Sequence, residues 1–196
     1  MSHFNIDANK WDTKDKVERA HFLANKMKEE LTKNRELDIL DFGCGTGLLG
    51  LEFLDYSKSL LGIDNSSGML EVFDEKIKNL KGVSSLNINL EKEELNKKFD
   101  LIISSMTFHH LDRPSAVLEM FSSMLKKEGK ILIIDLETED GTFHPDNKGM
   151  GVKHLGFSKD DLQVWADQSK MSVDIKTIYS IDKNQKSYNL FLATFS

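Results

Sequence analysis

Cysteine and proline are scarce in this sequence, since 196 residues contain one cysteine, Cys44, and two prolines. A single thiol cannot form an internal disulfide, and alone it cannot build a cysteine-rich zinc site. We therefore interpret Cys44 as a small turn residue. Two isolated prolines define no linker, and no segment recurs with a period of about 20 to 50 residues, so we expect one domain over residues 1–196.

Long apolar runs and a signal segment are also missing. The longest apolar stretches, such as residues 131–134, are far shorter than the roughly 20 residues that span a bilayer. The N-terminus lacks a basic region followed by an apolar core, which argues against a secretory signal. We therefore expect a cytoplasmic protein without a membrane segment.

Positive charge is not in excess. Lysine and arginine number 26 against 32 aspartates and glutamates, which gives a formal net charge of −6. Neutralising the phosphates of a nucleic acid requires clustered cations, and here the cations are interleaved with acids. The composition therefore disfavours a nucleic-acid partner.

Short apolar runs alternate with amphipathic stretches along most of the chain. The runs predict buried strands at residues 37–42, 59–63, 83–88, 99–104 and 130–136. Helices are predicted between them: one that begins near Asp12 or Thr13 with the apolar stripe Val17, Ala20, Ala24, Met27 and Leu31, one over 48–56, one over 69–80, and one over 117–124 closed by Gly129. This alternation predicts a parallel sheet with helices on both faces.

The last third of the chain has a different pattern. Ser158 and Asp161 have the spacing of a capping box ahead of an apolar stretch, which predicts a last helix. Two β-rich runs, 171–181 and 186–195, flank a turn at 182–185 and predict an antiparallel hairpin. Residues 137–157 remain as a long irregular segment, which we expect on the substrate side, because loops of this length are usually functional or disordered.

The sharpest motif is a glycine-rich turn, DFGCGTGLLG over residues 41–50, where a strand ends and a helix begins. Glycine lets the backbone turn tightly and approach a ligand that a Cβ would exclude. In the register Gly45, Gly47 and Gly50 the motif also matches the dinucleotide fingerprint, and Asp64 lies near the expected ribose-binding acid. A nicotinamide dinucleotide and S-adenosylmethionine are therefore both candidate cofactors.

The charge of Asp41 favours the second candidate. Its carboxylate beside a phosphate would cost about 4 kcal/mol at 4 Å and an effective dielectric constant near 20. S-adenosylmethionine has no phosphate and carries a sulfonium and an ammonium, which Asp41 attracts. Further acids follow other strands, so an acidic rim is expected at the carboxyl edge of the sheet from Asp41, Asp64, Glu91 and Asp135. The chain also has little room for the second domain that a nicotinamide oxidoreductase normally needs.

The ordered motifs between Leu37 and Leu136 resemble those of class I S-adenosylmethionine-dependent methyltransferases. Besides the glycine turn, FDLIISSMTFHHL at 99–111 resembles the family's fourth-strand motif, and LKKEGKILIID at 125–135 resembles its entry into the fifth strand. The resemblance implies a doubly wound, Rossmann-like α/β fold. Its mostly parallel seven-stranded sheet would have the order 3-2-1-4-5-7-6 and an antiparallel seventh strand.

The resemblance also implies roles for individual residues. The family's glycine turn, here Asp41, Gly43, Gly45 and Gly47, holds the methionine part of the cofactor, and Asp64 would bond both ribose hydroxyls. Asn89 is the expected adenine contact, because the family's usual aspartate is replaced here by Asn89-Leu90-Glu91. The predicted cofactor set also contains Asn65, Met69, Leu90, Ser104 and Trp11. Trp11 belongs to a helical segment, residues 1–35, which is expected to cover the cofactor, although packing of Trp11 against the core is an equal alternative.

Methyl transfer from a sulfonium is an in-line displacement, so alignment alone can supply about 7–11 kcal/mol. A general base is needed only when the acceptor must lose a proton, and His109 is the candidate ahead of His110. Ser104-Ser105-Met106-Thr107 lacks the Pro-Pro-aromatic motif of amino-methylating nucleic-acid enzymes, which favours a small-molecule acceptor. A protein acceptor, a nicotinamide-dependent oxidoreductase and a non-catalytic S-adenosylmethionine-binding module remain alternatives.

Three possible metal ligands fall in the irregular segment. His144, Asp146 and His154 are scattered without the tight spacing of a metal motif. No metal site is therefore predicted, and we expect these side chains to line a substrate pocket or to lie in solvent.

Overall fold

A computed structural model describes residues 3–32, 36–183 and 185–196. Seven strands form one sheet: β1 Leu37–Phe42, β2 Ser57–Asp64, β3 Val83–Asn87, β4 Phe99–Ser105, β5 Leu125–Leu136, β6 Val173–Lys183 and β7 Lys186–Phe195. Their order is β3-β2-β1-β4-β5-β7-β6, with β7 antiparallel to both neighbours. This confirms the predicted sheet order and the antiparallel seventh strand. Residues 1, 2 and 33–35 of the predicted N-terminal segment, and residue 184 of the predicted turn, lie outside the described residues.

Helices cover the sheet: α1 His3–Asp7, α2 Lys14–Lys28, α3 Ser67–Ile77, α4 Pro114–Met124 and α5 Lys159–Ser169, with 3₁₀ helices at Ala8–Lys10, Gly50–Tyr56 and Phe108–His110. The capping box of α5 is confirmed, because the Asp161 N–H donates to Ser158 Oγ and the Ser158 N–H donates to Asp161. The segment 138–156 contains no helix or strand, as expected. No helix in the described part of the chain combines the length and apolar character that crossing a bilayer requires.

Two predicted helices are wrong in detail. The expected helix over 48–56 is a 3₁₀ helix from Gly50, because the Gly50 N–H donates to the Asp41 carboxyl rather than to a preceding helical carbonyl. The helix expected to close at Gly129 ends at Met124, since Leu125 already pairs with Phe99 in the sheet.

The strands are apolar on both faces because helices cover both. Leu40 and Ile102 pack with one cluster, and Ile39 and Ile103 pack with the other. Full burial of each such side chain contributes about 1.5–3 kcal/mol. The two apolar layers hold the carboxyl ends of β1, β2 and β4 side by side, where open α/β sheets bind ligands.

Candidate active site

The glycine-rich turn after β1 has a backbone that only glycine fits at two positions. Gly43 has φ +68°, and a Cβ there would lie 2.3 Å from Thr107 Oγ1. Gly47 has φ +83°, and a Cβ there would lie 2.2 Å from the Phe73 ring. The N–H groups of Gly43 and Cys44 donate to the Ile63 carbonyl, which fixes the turn to the end of β2. The glycines therefore leave backbone without side chains at this edge of the sheet.

Asp41 lies beneath this turn with 1% of its surface exposed. Its Oδ2 accepts a hydrogen bond from the Gly50 N–H at 3.1 Å. Burial raises the pKa of the Asp41 carboxyl to about 7, against the effect of that hydrogen bond and with a contribution from Asp64. A carboxyl with this pKa is about half ionised at neutral pH, whereas a full negative charge was expected from the sequence.

Asp64 ends β2 and connects two loops. Its Oδ2 accepts from the Gly45 N–H at 2.9 Å, and its Oδ1 accepts from the Ser66 N–H at 2.8 Å. Burial raises the pKa of Asp64, while these backbone hydrogen bonds oppose the rise. The carboxylate therefore has a fixed orientation at the edge of the cavity described next.

A cavity of about 250 Å³ opens above these strand ends. The predicted cofactor residues on its wall are Trp11, Asp41, Gly43, Gly45, Asp64, Asn65, Met69, Asn89 and Leu90. Glu91 also lines it, as expected for the acidic rim. The predicted residues that do not line it are Gly47, Ser104 and His109, and Asp135 of the expected rim is also set back.

Each of these exceptions has a physical reason. Gly47 lies behind the turn against Phe73. The buried Ser104 hydroxyl donates to the Phe42 carbonyl at 2.9 Å, so Ser105, Met106 and Thr107 line the cavity in its place. The structure does not bring Ser104 or Gly47 to the expected cofactor surface.

His109, the expected general base, is 1% exposed and lies behind the cavity wall. Its Nδ1 is 2.6 Å from Asp135 Oδ1. Burial alone would raise the pKa of Asp135, but the charge of His109 and hydrogen bonds from it lower that pKa below its usual value. The imidazole on the wall is His110 instead. Of the two histidines, His110 and not His109 therefore reaches the cavity.

The N-terminal segment forms the opposite wall. Lys16, Arg19 and Leu23 lie on one face of α2 and line the cavity. Lys16 and Arg19 were not among the residues expected at the site, although their spacing with Leu23 places all three on one helical face. Burial lowers the pKa of both cations, and neither forms an ion pair within the described residues. They supply positive charge that an anionic ligand group can use.

Hydrogen bonds hold this segment on the glycine turn and on α3. Asn5 Oδ1 accepts from Ser66 Oγ at 2.6 Å and from the Gly68 N–H at 2.9 Å. Asp12 accepts from Thr46 Oγ1 at 2.5 Å and pairs with Lys76 at 2.6 Å. These contacts position Trp11 at the cavity, with Lys16 Nζ 3.2 Å from the centre of its ring.

The three scattered residues of the irregular segment are not brought together. Asp146 Oδ1 accepts from the Gly149 N–H, and His154 Nε2 lies 3.0 Å from the Leu111 carbonyl. His144 lies beside His109 and His110 instead.

Comparison with known proteins gives concordant results. A family described as a methyltransferase domain matches residues 40–131. An uncharacterised methyltransferase of Schizosaccharomyces pombe is 28% identical over 82% of this chain and 70% of its own length. A malonyl-[acyl-carrier protein] O-methyltransferase of Acetivibrio thermocellus is 33% identical over 65% of this chain, which spans only 45% of that relative. A DhpI complex with SAH has the same fold, with a TM-score of 0.76 at 16% identity over 99% of this chain and 93% of its own.

Proposed function

Because the chain belongs to the S-adenosylmethionine-dependent methyltransferase family, we propose that it transfers a methyl group from S-adenosylmethionine to a small-molecule acceptor. The observation that carries this proposal is the cavity above the strand ends, where bare glycine backbone lies between the carboxyls of Asp41 and Asp64. These two carboxyls beside the turn favour a zwitterionic, cationic nucleoside over a pyrophosphate, whose charge they would repel.

We assign the cofactor groups by charge and position. Asp41 binds the α-ammonium, and Arg19 or Lys16 binds the α-carboxylate. Asp64 accepts from the ribose hydroxyls, and Asn89 and Met69 contact the adenine. Trp11 and the rest of residues 3–32 cover the cofactor, an arrangement supported by the hydrogen bonds of Asn5 and Asp12 to the turn region.

The protein's part in the reaction is alignment and exclusion of water. Bound S-adenosylmethionine supplies an already activated methyl group, so the residues of the chain need only hold donor and acceptor in line. Thr107 and His110 at the end of β4 line the acceptor end in this assignment. His110, which lies on the wall, is the imidazole that contacts the acceptor. His109 lies behind it, with its ring centre 4.1 Å from that of His110.

A small acceptor fits the way in which the cavity is closed. The N-terminal segment covers one side, whereas the irregular segment 137–157, expected on the substrate side, contributes no residue to the wall. It lies behind the wall, where the N–H groups of Lys153 and His154 donate to the His109 carbonyl. The malonyl-[acyl-carrier protein] O-methyltransferase among the relatives is consistent with an acid acceptor, as are Lys16 and Arg19. We therefore propose a small organic molecule that carries an anionic group.

Calorimetric titration with S-adenosylhomocysteine and with NAD⁺ tests the cofactor. We expect S-adenosylhomocysteine to bind and NAD⁺ not to bind. Asp64→Asn should weaken S-adenosylhomocysteine binding by more than tenfold, about 1.4 kcal/mol or more, because hydrogen bonds to a charged acceptor are worth about 1.5–3 kcal/mol.

Asp74→Asn is the matched control, since Asp74 is exposed and bonds Ser85 away from the cavity. Binding of NAD⁺ alone would overturn the assignment in favour of an oxidoreductase. Binding of S-adenosylhomocysteine without methyl transfer to any acceptor, in a screen with labelled methyl donor, would favour a non-catalytic module.

A further inference from the structure

Three histidines from two distant parts of the chain meet beside the cavity. His109 and His110 belong to the 3₁₀ helix after β4, and His144 belongs to the irregular segment. One ring nitrogen of each lies within 4.8 Å of the other two. The ring centres are 4.1 Å apart for His109 and His110 and 5.0 Å apart for His109 and His144. We call these three residues the histidine cluster.

Two nitrogens of the histidine cluster are buried without a partner. Within the described residues, neither His109 Nε2 nor His144 Nδ1 has a hydrogen-bond partner. His109 is 1% exposed, so bulk water does not satisfy its Nε2. Buried polar atoms are almost always satisfied in folded proteins, and two exceptions at one place indicate a missing ligand.

The surroundings prepare His109 to bind a cation. The buried Asp135 carboxylate can only accept, so the proton of His109 lies on Nδ1, 2.6 Å from Asp135 Oδ1, and the lone pair is on Nε2. A histidine that ligates a metal commonly donates its other N–H to a carboxylate in this way. The carboxylate also supplies negative charge next to the cluster.

The other two imidazoles complete the cluster. His110 Nδ1 lies 3.2 Å from the Gly151 carbonyl, which can only accept, so Nδ1 carries the proton. His144 Nδ1 is buried without a partner among the described residues, and the ring centre of His144 lies 5.8 Å from that of His110.

We propose that the histidine cluster binds one divalent transition-metal ion of the zinc class, with His109, His110 and His144 as its protein ligands. Three neutral imidazoles with a further coordination position open are typical of catalytic zinc sites. Metal–nitrogen distances of about 2.0–2.1 Å require the three histidine rings to move closer to one another. The segment that carries His144 lacks helix and strand, so it can make this adjustment.

A metal at this position would lie next to the acceptor end of the cavity, because His110 belongs to both. It would give the anionic group of the acceptor a ligand position and would connect segment 137–157 to the end of β4. This role rests on the proposed function, whereas metal binding itself does not.

Titration of the untagged protein with Co²⁺, followed by visible absorption, tests the proposal. We expect one equivalent of Co²⁺ to give the bands of a four- or five-coordinate site, and Zn²⁺ to displace it. His144→Ala should weaken Co²⁺ binding by more than about tenfold, and Asp135→Asn should weaken it by about 10–100-fold through the lost carboxylate.

His21→Ala is the matched control, because His21 is an exposed imidazole on α2 that bonds Glu52 and Asn25. The proposal is overturned if no such bands form, or if His144→Ala and His21→Ala bind Co²⁺ equally well. Titration of the same variants with S-adenosylhomocysteine shows that they are folded, since His144 is not among the residues on the cavity wall. Failure of the wild-type protein to bind S-adenosylhomocysteine would overturn the proposed function and leave the Co²⁺ result standing.

Discussion

At the scale of single residues, Asp41 is subject to two opposing effects. Burial favours its protonated form and raises its pKa to about 7, whereas a bound sulfonium and ammonium favour its charged form. In this interpretation, cofactor binding releases a proton from Asp41. The affinity for a cationic cofactor is therefore coupled to pH.

We predict that the affinity for S-adenosylmethionine rises roughly fifteenfold between pH 5.5 and pH 7, because the ionised fraction of a group with a pKa of about 7 rises by that factor. The α-ammonium of the ligand stays mostly charged over this range, since α-amino groups have pKa values above 7. Calorimetric dissociation constants at four pH values measure the effect.

Asp41→Asn is the control for this prediction. It keeps the shape of the side chain and cannot ionise, so its affinity should be lower and nearly independent of pH. If the variant keeps the pH dependence of the wild type, Asp64, whose pKa burial also raises, is the group responsible.

At the scale of elements, the N-terminal segment has a surface that its apolar stripe does not reveal. The stripe predicted from Val17 to Leu31 is buried at Ala24 and Met27, but Val17 is 42% exposed. The neighbouring face of α2 lines the cavity instead, through Lys16, Arg19 and Ala20. This face of α2 therefore borders the cavity in which we propose that the cofactor binds.

We predict that Asn5→Ala weakens S-adenosylhomocysteine binding by about three- to thirtyfold. The substitution removes the acceptor for Ser66 Oγ and the Gly68 N–H, and each such bond contributes about 0.5–1.5 kcal/mol. Calorimetry measures the affinity, and urea unfolding measures how much the same two bonds contribute to the stability of the free protein.

Asn25→Ala is the control for this prediction, because Asn25 bonds His21 on the exposed side of α2. Equal affinities for Asn5→Ala and Asn25→Ala would show that the N-terminal segment does not cover the cofactor.

At the scale of the whole molecule, the sheet joins residues that are far apart in sequence into one binding surface. Asp41 and Asp64 lie at the ends of β1 and β2, Asn89 and Thr107 follow β3 and β4, and all four line the same cavity. A ligand that contacts all four strand ends stabilises the folded state as a unit, because it binds the native chain and not the unfolded one.

We predict that S-adenosylhomocysteine at 100 times its dissociation constant adds about 2.7 kcal/mol to the free energy of unfolding and raises the Tm by about 5–10 °C. Differential scanning calorimetry measures the shift. NAD⁺ at the same concentration should leave the Tm unchanged, and a shift with NAD⁺ alone would contradict the proposed cofactor.

The strand pattern and the glycine turn could be predicted because their causes are local. Apolar runs indicated the buried strands, and glycines next to an acid indicated the turn, since backbone conformation and strand periodicity depend on neighbouring residues. The capping box at Ser158 and Asp161 was predictable for the same reason.

The tertiary structure alone decided which side chains reach the cavity. Ser104 turns to the Phe42 carbonyl and His109 turns to Asp135, because buried polar groups take whatever partners neighbouring strands offer. The meeting of His144 with His109 and His110, and the raised pKa of Asp41, likewise depend on packing between distant segments. The sequence alone indicated the family, the strands and the glycine turn, because motifs, strand periodicity and backbone preferences are local properties of the chain. The assignment of individual residues to the site was determined by long-range contacts and burial, which no local pattern contains.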